Sequence, residues 1–171
     1  AEATNELVVL SADGSGDARA IASGHDFYST PRISPDGRRL AWLVWDHPCM
    51  PWDGSELWAA DLASDGSLSN QRRLAGGPEE SIYQPEWSPA GELHFVSDRT
   101  GWWNLYRLVG DTAEPLAPMA AEFGTPQWVF GMSNYAFLAD GQIASIVSQH
   151  GIDRLVYVRH GQPLQSVELP Y

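Results

Sequence analysis

Apolar residues along the chain come in short runs, and turn-forming residues end each run after a few positions. Runs such as "RLAWLVW" (39–45), "ELWAADL" (56–62) and "RLVYVR" (154–159) alternate apolar with polar positions or are apolar throughout, as half-buried and fully buried strands are. Gly (16 residues) and Pro (12 residues) interrupt the chain so often that no amphipathic stretch of helical period exceeds a turn or two. The pattern predicts an all-β protein.

A repeat underlies these strands. Residues 28–44, "YSTPRISPDGRRLAWLV", align with residues 82–97, "IYQPEWSPAGELHFVS", which places Pro31, Ser34, Pro35 and Gly37 on Pro85, Ser88, Pro89 and Gly91. We expect a third copy to begin at "GTPQWVF" (124–130), with Pro126 and Trp128 in the places of Pro85 and Trp87. A unit of four short antiparallel strands that repeats every ~40 to 50 residues is typical of a β-propeller blade.

The predicted fold is therefore all-β, a partial β-propeller of about three and a half four-stranded antiparallel blades. Residues 1–24 supply a half blade of two outer strands, and the full blades follow at 25–77, 78–119 and 120–171. The first full blade carries a long connection at 45–54, "WDHPCMPWDG", where a tight hairpin needs roughly two to five residues. Closed propellers have roughly four to eight blades, so the chain is either an unusually small propeller or a piece of a larger one.

The repeated residues have structural roles. In "SPDG" the Pro presets φ at one turn position and the Gly takes a positive φ, so the first hairpin of each blade closes tightly. The Trp and Phe side chains near the first two strands are wide, flat fillers between neighbouring blades. We expect packing to account for nearly all eight Trp residues.

The net charge of the chain limits the classes of ligand that it can bind. The net charge is −12, the pI is about 4.6, and all ten basic residues are Arg. Such a surface repels phosphate backbones and anionic lipids, so we expect no nucleic-acid and no membrane partner. It suits cationic or amine-bearing ligands, although an acidic surface serves solubility as well.

Cysteine usage and the chain's first residues favour a cytoplasmic location. The single cysteine, Cys49, rules out an internal disulfide framework. The first residues, "AEATNELVVL", lack the basic region of a signal peptide, and no apolar run approaches the roughly 18 residues that span a bilayer.

Motifs for catalysis and metal binding are missing. The G-x-S-x-G nucleophile elbow does not occur, and its nearest approach, Gly131-Met-Ser133-Asn-Tyr135, lacks the second Gly. The five His residues form no H-x-x-x-H pair. We therefore expect no catalytic residue, no metal and no cofactor in this chain.

Three segments resemble a known family: "SPDGRRLAW", "PEWSPAGELHFVSDRTGWWNLYRL" and "AEFGTPQWVFGMSNYAFLADGQI", together with the "WDHPCMPWDGSELW" loop. They are similar to the N-terminal β-propeller of the prolyl oligopeptidase family of serine peptidases, in its bacterial acylaminoacyl-peptidase and dipeptidyl-aminopeptidase-like branch. The resemblance implies a propeller of seven or eight blades. It would cap a C-terminal α/β-hydrolase domain, which supplies the Ser, Asp and His, and would admit only short peptides.

The resemblance also implies that this chain is inactive alone and gates the active site of a parent serine peptidase. "SPDG" and "SDRTG" also occur in TolB-type propellers. The alternative is therefore a stand-alone TolB-like or WD40-like propeller that binds protein partners. A partial propeller also exposes two broad apolar radial faces, so we expect the chain to pair with a copy of itself or with the remainder of a cleaved parent.

Strand alternation brings the 45–54 loop and the links between blades to one face. That face collects acidic and aromatic residues: His25, Asp26, Asp46, His47, Trp52, Asp53, Glu79, Glu80, Tyr83, Asp98, Trp102, Trp103, Glu122 and Asp153. We predict that Asp46, His47, Trp52, Asp53, Glu79 and Glu80 gate the site and bind the substrate amine, since carboxylates and aromatic faces hold an ammonium group. Alternatively, Asp46 and Asp53 cap turns within the loop while Trp45 and Trp52 pack it against a neighbouring blade.

Overall fold

The computed structural model describes residues 3–169, and this part of the chain is built of strands and turns. No helix in that range is long and apolar enough to cross a membrane. Residues 1–2 and 170–171, which belong to the first and last predicted units, lie outside the described residues. The described part contains these strands: β1 (Leu7–Val9), β2 (Arg19–Ala22), β3 (Phe27–Ile33), β4 (Arg39–Trp45), β5 (Ser55–Leu62), β6 (Leu68–Gly77), β7 (Ile82–Trp87), β8 (Leu93–Ser97), β9 (Asn104–Val109), β10 (Thr112–Pro115), β11 (Tyr135–Phe137), β12 (Ile143–Gln149), β13 (Ile152–Val158) and β14 (Gln165–Ser166).

The strands form antiparallel sheets in which each strand pairs with its neighbour along the chain. The sheets are β1–β2, β3 to β6, β7 to β10 and β11 to β14. One two-stranded half blade is thus followed by three four-stranded blades, and the predicted partial propeller is confirmed. The residue boundaries proposed for the units stay a prediction.

The first full blade buries both of its faces against its neighbours. On β4, Leu40, Trp42 and Val44 pack towards the half blade, while Ala41 and Leu43 pack towards the next blade. Successive side chains of a strand point to opposite faces, so a strand between two blades needs apolar residues at every position. This explains why the run at 39–45 is apolar almost throughout. A third cluster, which includes Leu105, Phe123 and Val156, joins the last two blades.

A bulge recurs at the same place in the first strands of two blades. Pairing shifts register between Ser29 and Arg32 on β3 and between Tyr83 and Glu86 on β7. Thr30 and Gln84 occupy these bulges with φ of 53° and 47°, a left-handed conformation that is uncommon for residues other than Gly. Each is followed by a Pro, which has no N–H to leave unpaired.

The third blade begins later than predicted. Its first strand is β11, and Phe137 pairs with Ile143 as Trp87 pairs with Leu93, so Phe137 and not Trp128 takes the place of Trp87. The first strand of a hairpin must directly precede its turn, and Leu138 accepts the closing hydrogen bond from Gly141 at 2.9 Å.

The alignment through Pro126 was therefore wrong, because it ignored the distance to the turn. Pro85 lies six residues before Gly91, whereas Pro126 lies fifteen residues before Gly141. The extra residues leave 124–134 free of strand structure.

Packing explains most Trp residues but not all of them. Trp42, Trp45 and Trp87 are buried in or beside the blades. Trp102 is 43% exposed and Trp128 is 73% exposed, so the expectation that nearly all Trp act as fillers fails at these two positions.

Candidate ligand-binding face

Connections from every blade meet on one face, which we call the loop face. Contacts between connections of different blades show the convergence: Ser81 with Pro51, Trp103 with Glu122, and Trp52 with Trp128. The loop face comprises residues 23–26, 46–54, 78–81, 98–103, 116–134 and the turn at 149–151, where Gln149 donates a hydrogen bond to the Ala120 carbonyl at 3.2 Å.

Two carboxylates hold the 46–54 loop against the link that precedes β3. Asp46 accepts a hydrogen bond from the Asp26 backbone N–H at 2.6 Å, and its other oxygen lies 2.8 Å from His25 Nδ1. Asp26 in turn accepts a hydrogen bond from the His47 backbone N–H at 2.9 Å. Burial raises the pKa of Asp46, but the hydrogen bonds from Asp26 and His25 outweigh it and hold the pKa below its ordinary value. The charge of Asp46 is therefore already engaged within the protein.

The rest of the 46–54 loop is fixed by short contacts. Asp53 accepts a hydrogen bond from the Met50 backbone N–H at 3.0 Å and so caps a turn inside the loop. Ser81 donates a hydrogen bond to the Pro51 carbonyl at 2.9 Å. Gly54 lies so close to the link that an added Cβ would stand 2.5 Å from the Pro78 oxygen. The long loop is thus a tightly held part of the loop face.

Glu79 and Glu80 do not form an equivalent pair. Glu80 accepts hydrogen bonds from Arg99 at 2.8 and 3.0 Å and from the Ser97 hydroxyl at 2.6 Å. The Arg99 guanidinium also lies over the Tyr106 ring, 5.1 Å from its centroid. Glu79 is exposed. Of the two side chains, only Glu79 has a carboxylate free of a salt bridge among the described residues; amine binding by these residues stays a prediction.

A cleft on the same face brings together residues that motif spacing did not single out. It holds about 450 Å³ and is lined by Asp98, Trp102, Trp103, Glu122, Thr125 and Pro126, among others. Burial raises the pKa of Asp98, whose carboxylate accepts a hydrogen bond from the Ser81 N–H at 2.7 Å. Glu122 accepts one from the Trp103 N–H at 2.8 Å. Strand alternation places these residues on the face, but only folding shows that they share a cleft, which we call the acidic cleft.

Residues 124–134, which we call the strap, cross the second blade to reach the first. Gln127 donates a hydrogen bond to the Ile82 carbonyl on β7 at 3.0 Å. Trp128 then packs on Trp52 of the 46–54 loop, with ring centroids 4.3 Å apart. Trp52 therefore contacts the strap as well as its own loop. Sequence analysis missed this contact because it placed Trp128 in a strand.

The candidate nucleophile and metal ligands do not assemble a reactive site. Ser133 donates a hydrogen bond to the Tyr135 carbonyl at 3.1 Å and accepts one from Gln84 at 3.0 Å. Burial lowers the pKa of His94, which packs edge-on against Phe137. Within residues 3–169, no group of three or more His, Cys, Asp or Glu side chains could hold a metal ion.

These features define the class of the protein as a β-propeller whose loop face carries acidic and aromatic side chains. Its fold matches the solved structure of puromycin hydrolase, with a TM-score of 0.86, 42% identity and 93% of this chain covered. It also matches a puromycin-hydrolyzing peptidase from Mycobacterium tuberculosis, with a TM-score of 0.83, 37% identity and 94% covered. The chain corresponds to a segment of the N-terminal propeller of the prolyl oligopeptidase family of peptidases.

The chain spans only about a quarter of the length of these two relatives, 25% and 24%. A TolB structure from Agrobacterium tumefaciens is similar in fold, with a TM-score of 0.62 at 17% identity over 94% of this chain and 55% of its own. That likeness shows the propeller fold alone. No family model and no curated protein matches the sequence.

Proposed function

We propose that this chain is the non-catalytic propeller segment of a serine peptidase that acts on short peptides, and that its loop face caps and gates the active site. The partner is a C-terminal α/β-hydrolase domain in the same parent protein, which provides the nucleophile. The observation that carries the proposal is the 42% identity to puromycin hydrolase over 93% of this chain.

The proposed substrate carries a free amine, as dipeptidyl-aminopeptidase-like specificity requires. Acylaminoacyl-peptidase-like specificity is the alternative and would take a blocked amino terminus instead. Puromycin, which the two relatives are named for hydrolysing, is one candidate. The loop face supports this choice because it joins carboxylates with aromatic side chains, and both attract an ammonium group. Among the predicted residues, exposed Glu79 is the carboxylate most available to a ligand, since Asp46, Asp53 and Glu80 already accept internal hydrogen bonds.

The test uses the full-length protein and a fluorophosphonate, which labels activated serine nucleophiles. We expect the full-length protein to be labelled and the 171-residue chain to remain unlabelled. Failure of the full-length protein to label, together with a parent reading frame without G-x-S-x-G, would instead support the stand-alone binding propeller.

The amine role is tested by Glu79→Ala in the full-length protein. We expect kcat/KM to fall for peptides with a free amino terminus and to stay unchanged for the same peptides when acetylated. Asp111→Ala is the matched control, because Asp111 lies in an exposed turn outside the loop face. Equal kcat/KM values for Glu79→Ala and the parent protein on both substrates would contradict this role.

A cytoplasmic location belongs to the same proposal. Its support is the single cysteine, Cys49, which suits a reducing compartment. Fractionation of cells that make the full-length protein, followed by immunoblotting, tests it.

A further inference from the structure

One histidine, His25, lies between the start of the 46–54 loop and the link that precedes β3. Its Nδ1 is 2.8 Å from Asp46 Oδ2, at the first residue of the loop. Its ring packs edge-on against Trp58, with centroids 5.8 Å apart, and against Tyr28, with centroids 6.1 Å apart. The side chains of His25 and Asp46 are 26% and 50% exposed, so the pair exchanges protons with solvent. A titratable ring is therefore held in a fixed position where the loop begins.

Of the hydrogen bonds that join the start of the loop to this link among the described residues, one titrates near neutral pH. Asp46 accepts from the Asp26 N–H at 2.6 Å, and Asp26 accepts from the His47 N–H at 2.9 Å. Backbone N–H groups do not titrate, and carboxylates are ionised near neutral pH. The remaining contact joins Asp46 to the His25 ring, and an imidazole gains or loses its proton in this range. A change of pH near neutrality therefore acts on one contact and leaves the other two unchanged.

The charges next to His25 are negative, so an imidazolium formed there has a partner. Asp46 is in direct contact with the ring, and the small cleft beside it is lined by two further acidic residues, Glu6 and Asp26. Tyr28 accepts a hydrogen bond from the His25 backbone N–H at 3.2 Å. Burial raises the pKa of Tyr28, so its phenol is neutral and adds no charge at this point.

The other charged groups nearby are paired or turned away from the imidazole. Behind Trp58, Glu56 accepts a hydrogen bond from the Trp58 indole at 2.8 Å and forms a salt bridge with Arg73 at 2.8 Å. The ring of His47 packs edge-on against Phe27, with centroids 5.0 Å apart. Protonation of the imidazole therefore acts mainly on its contact with the loop.

We propose that the contact between His25 and Asp46 is a pH-sensitive latch, which holds the 46–54 loop firmly when the imidazole is protonated and more loosely when it is neutral. A charge-assisted hydrogen bond is stronger than its neutral equivalent. The charged pair needs His25 protonated and Asp46 ionised. The latch therefore weakens as the pH rises through neutrality, because His25 loses its proton. It weakens again in acid, as the pH falls through the Asp46 pKa, which lies below 3.8.

Release of the latch frees the beginning of the loop more than its end. Farther along, the Pro51 carbonyl accepts a hydrogen bond from Ser81 at 2.9 Å, and Trp52 stacks on Trp128 of the strap. These contacts contain no group that titrates near neutral pH. If the loop face gates an active site, the latch would admit ligands more readily on the alkaline side. That consequence rests on the proposed function, whereas the latch itself does not.

Hydrogen exchange of the full-length protein, followed by mass spectrometry of peptides from the 46–54 loop, tests the latch. His25→Asn keeps an N–H donor near the position of Nδ1 but cannot become charged. Comparing both proteins at the same pH cancels the intrinsic pH dependence of exchange. We expect the loop of the parent protein to exchange more slowly than that of His25→Asn by about two- to fivefold at about pH 5.5, and at nearly the same rate at about pH 8.5. The matched control is His160→Asn, because His160 is exposed in the turn after β13, outside the loop face.

A second variant gives an independent measurement. Asp46→Asn removes the negative partner, so adding His25→Asn to it should change loop exchange at neither pH. A ratio of parent to His25→Asn exchange that is the same at both pH values overturns the latch. A ratio that changes equally in peptides from all blades also overturns it, because His25 would then act on global stability. Exchange needs no turnover, so failure of the full-length protein to hydrolyse peptides would count against the proposed function alone.

Discussion

Gln84 is the side chain that most directly joins the last two blades. It is 4% exposed and lies in the β7 bulge. Its amide donates to Ser133 Oγ at 3.0 Å and to the Tyr135 carbonyl at 2.7 Å, and it accepts from the N–H groups of Asn134 and Tyr135 at 2.7 and 3.3 Å. The strap ends and the third blade begins at this contact. We predict that Gln84→Ala lowers the free energy of unfolding by more than the loss of a surface contact would.

The magnitude follows from these hydrogen bonds. Each contributes about 0.5–1.5 kcal/mol net, and a buried backbone group left without a partner costs about 1–3 kcal/mol. Because Tyr135 is 3% exposed, its N–H would be left without a partner, whereas its carbonyl would keep the hydrogen bond from Ser133 at 3.1 Å. We therefore expect Gln84→Ala to lower the free energy of unfolding by about 3 kcal/mol. Gln84→Gly should lose about 1 kcal/mol less, since Gly adopts the positive φ of 47° without strain.

The assay is urea unfolding followed by tryptophan fluorescence and circular dichroism. Gln127→Ala is the control, because it removes one hydrogen bond, to the Ile82 carbonyl, and should cost about 1 kcal/mol. A Gln84→Ala midpoint no lower than that of Gln127→Ala would refute the argument. So would a Gln84→Gly variant that is less stable than Gln84→Ala.

Three further predictions concern other parts of the chain. Gly76→Ala should lower the free energy of unfolding by about 3 kcal/mol or more, because the added Cβ would stand 2.0 Å from the Ser55 oxygen. The control is Gly77→Ala, whose added Cβ meets nothing within 4 Å and should change the free energy of unfolding little. The comparison of the two urea unfolding midpoints tests this prediction. Because folding lowers the pKa of Asp46, its ionised carboxylate stabilises the fold at pH values above the ordinary pKa of 3.8. This contribution is lost as the pH falls through the folded-state pKa. Asp46→Asn should therefore destabilise by under about 1 kcal/mol at pH 7, because the side chain is half-exposed, and the difference should vanish at pH 2. Finally, we expect the chain to associate with itself through the radial faces. Ile146→Arg, on the exposed side of β12, should weaken this association. Light scattering that shows a monomer at high concentration would contradict the prediction.

Much of the fold was predictable because its signals are local. Alternating and continuous apolar runs predicted the strands, and the repeat of Pro and Gly predicted which strands share a blade. The first two full blades follow this logic because the "SPDG" and "SPAG" turns directly join their first and second strands. The third blade was predicted wrongly because Pro126 and Trp128 match the repeat in residue type, whereas their distance to the following turn does not match.

The candidate site shows where local signals stop. The sequence by itself determined that the links and the long loop share one face, since strand alternation allows no other arrangement. Only the tertiary structure decided which charges remain available there: Glu80 is neutralised by Arg99, and Asp46 is engaged by His25 and the Asp26 N–H, through contacts between segments distant in the chain. The same holds for the stacking of Trp128 on Trp52, because a path that crosses a neighbouring blade depends on packing among three blades and leaves no periodic trace in the sequence.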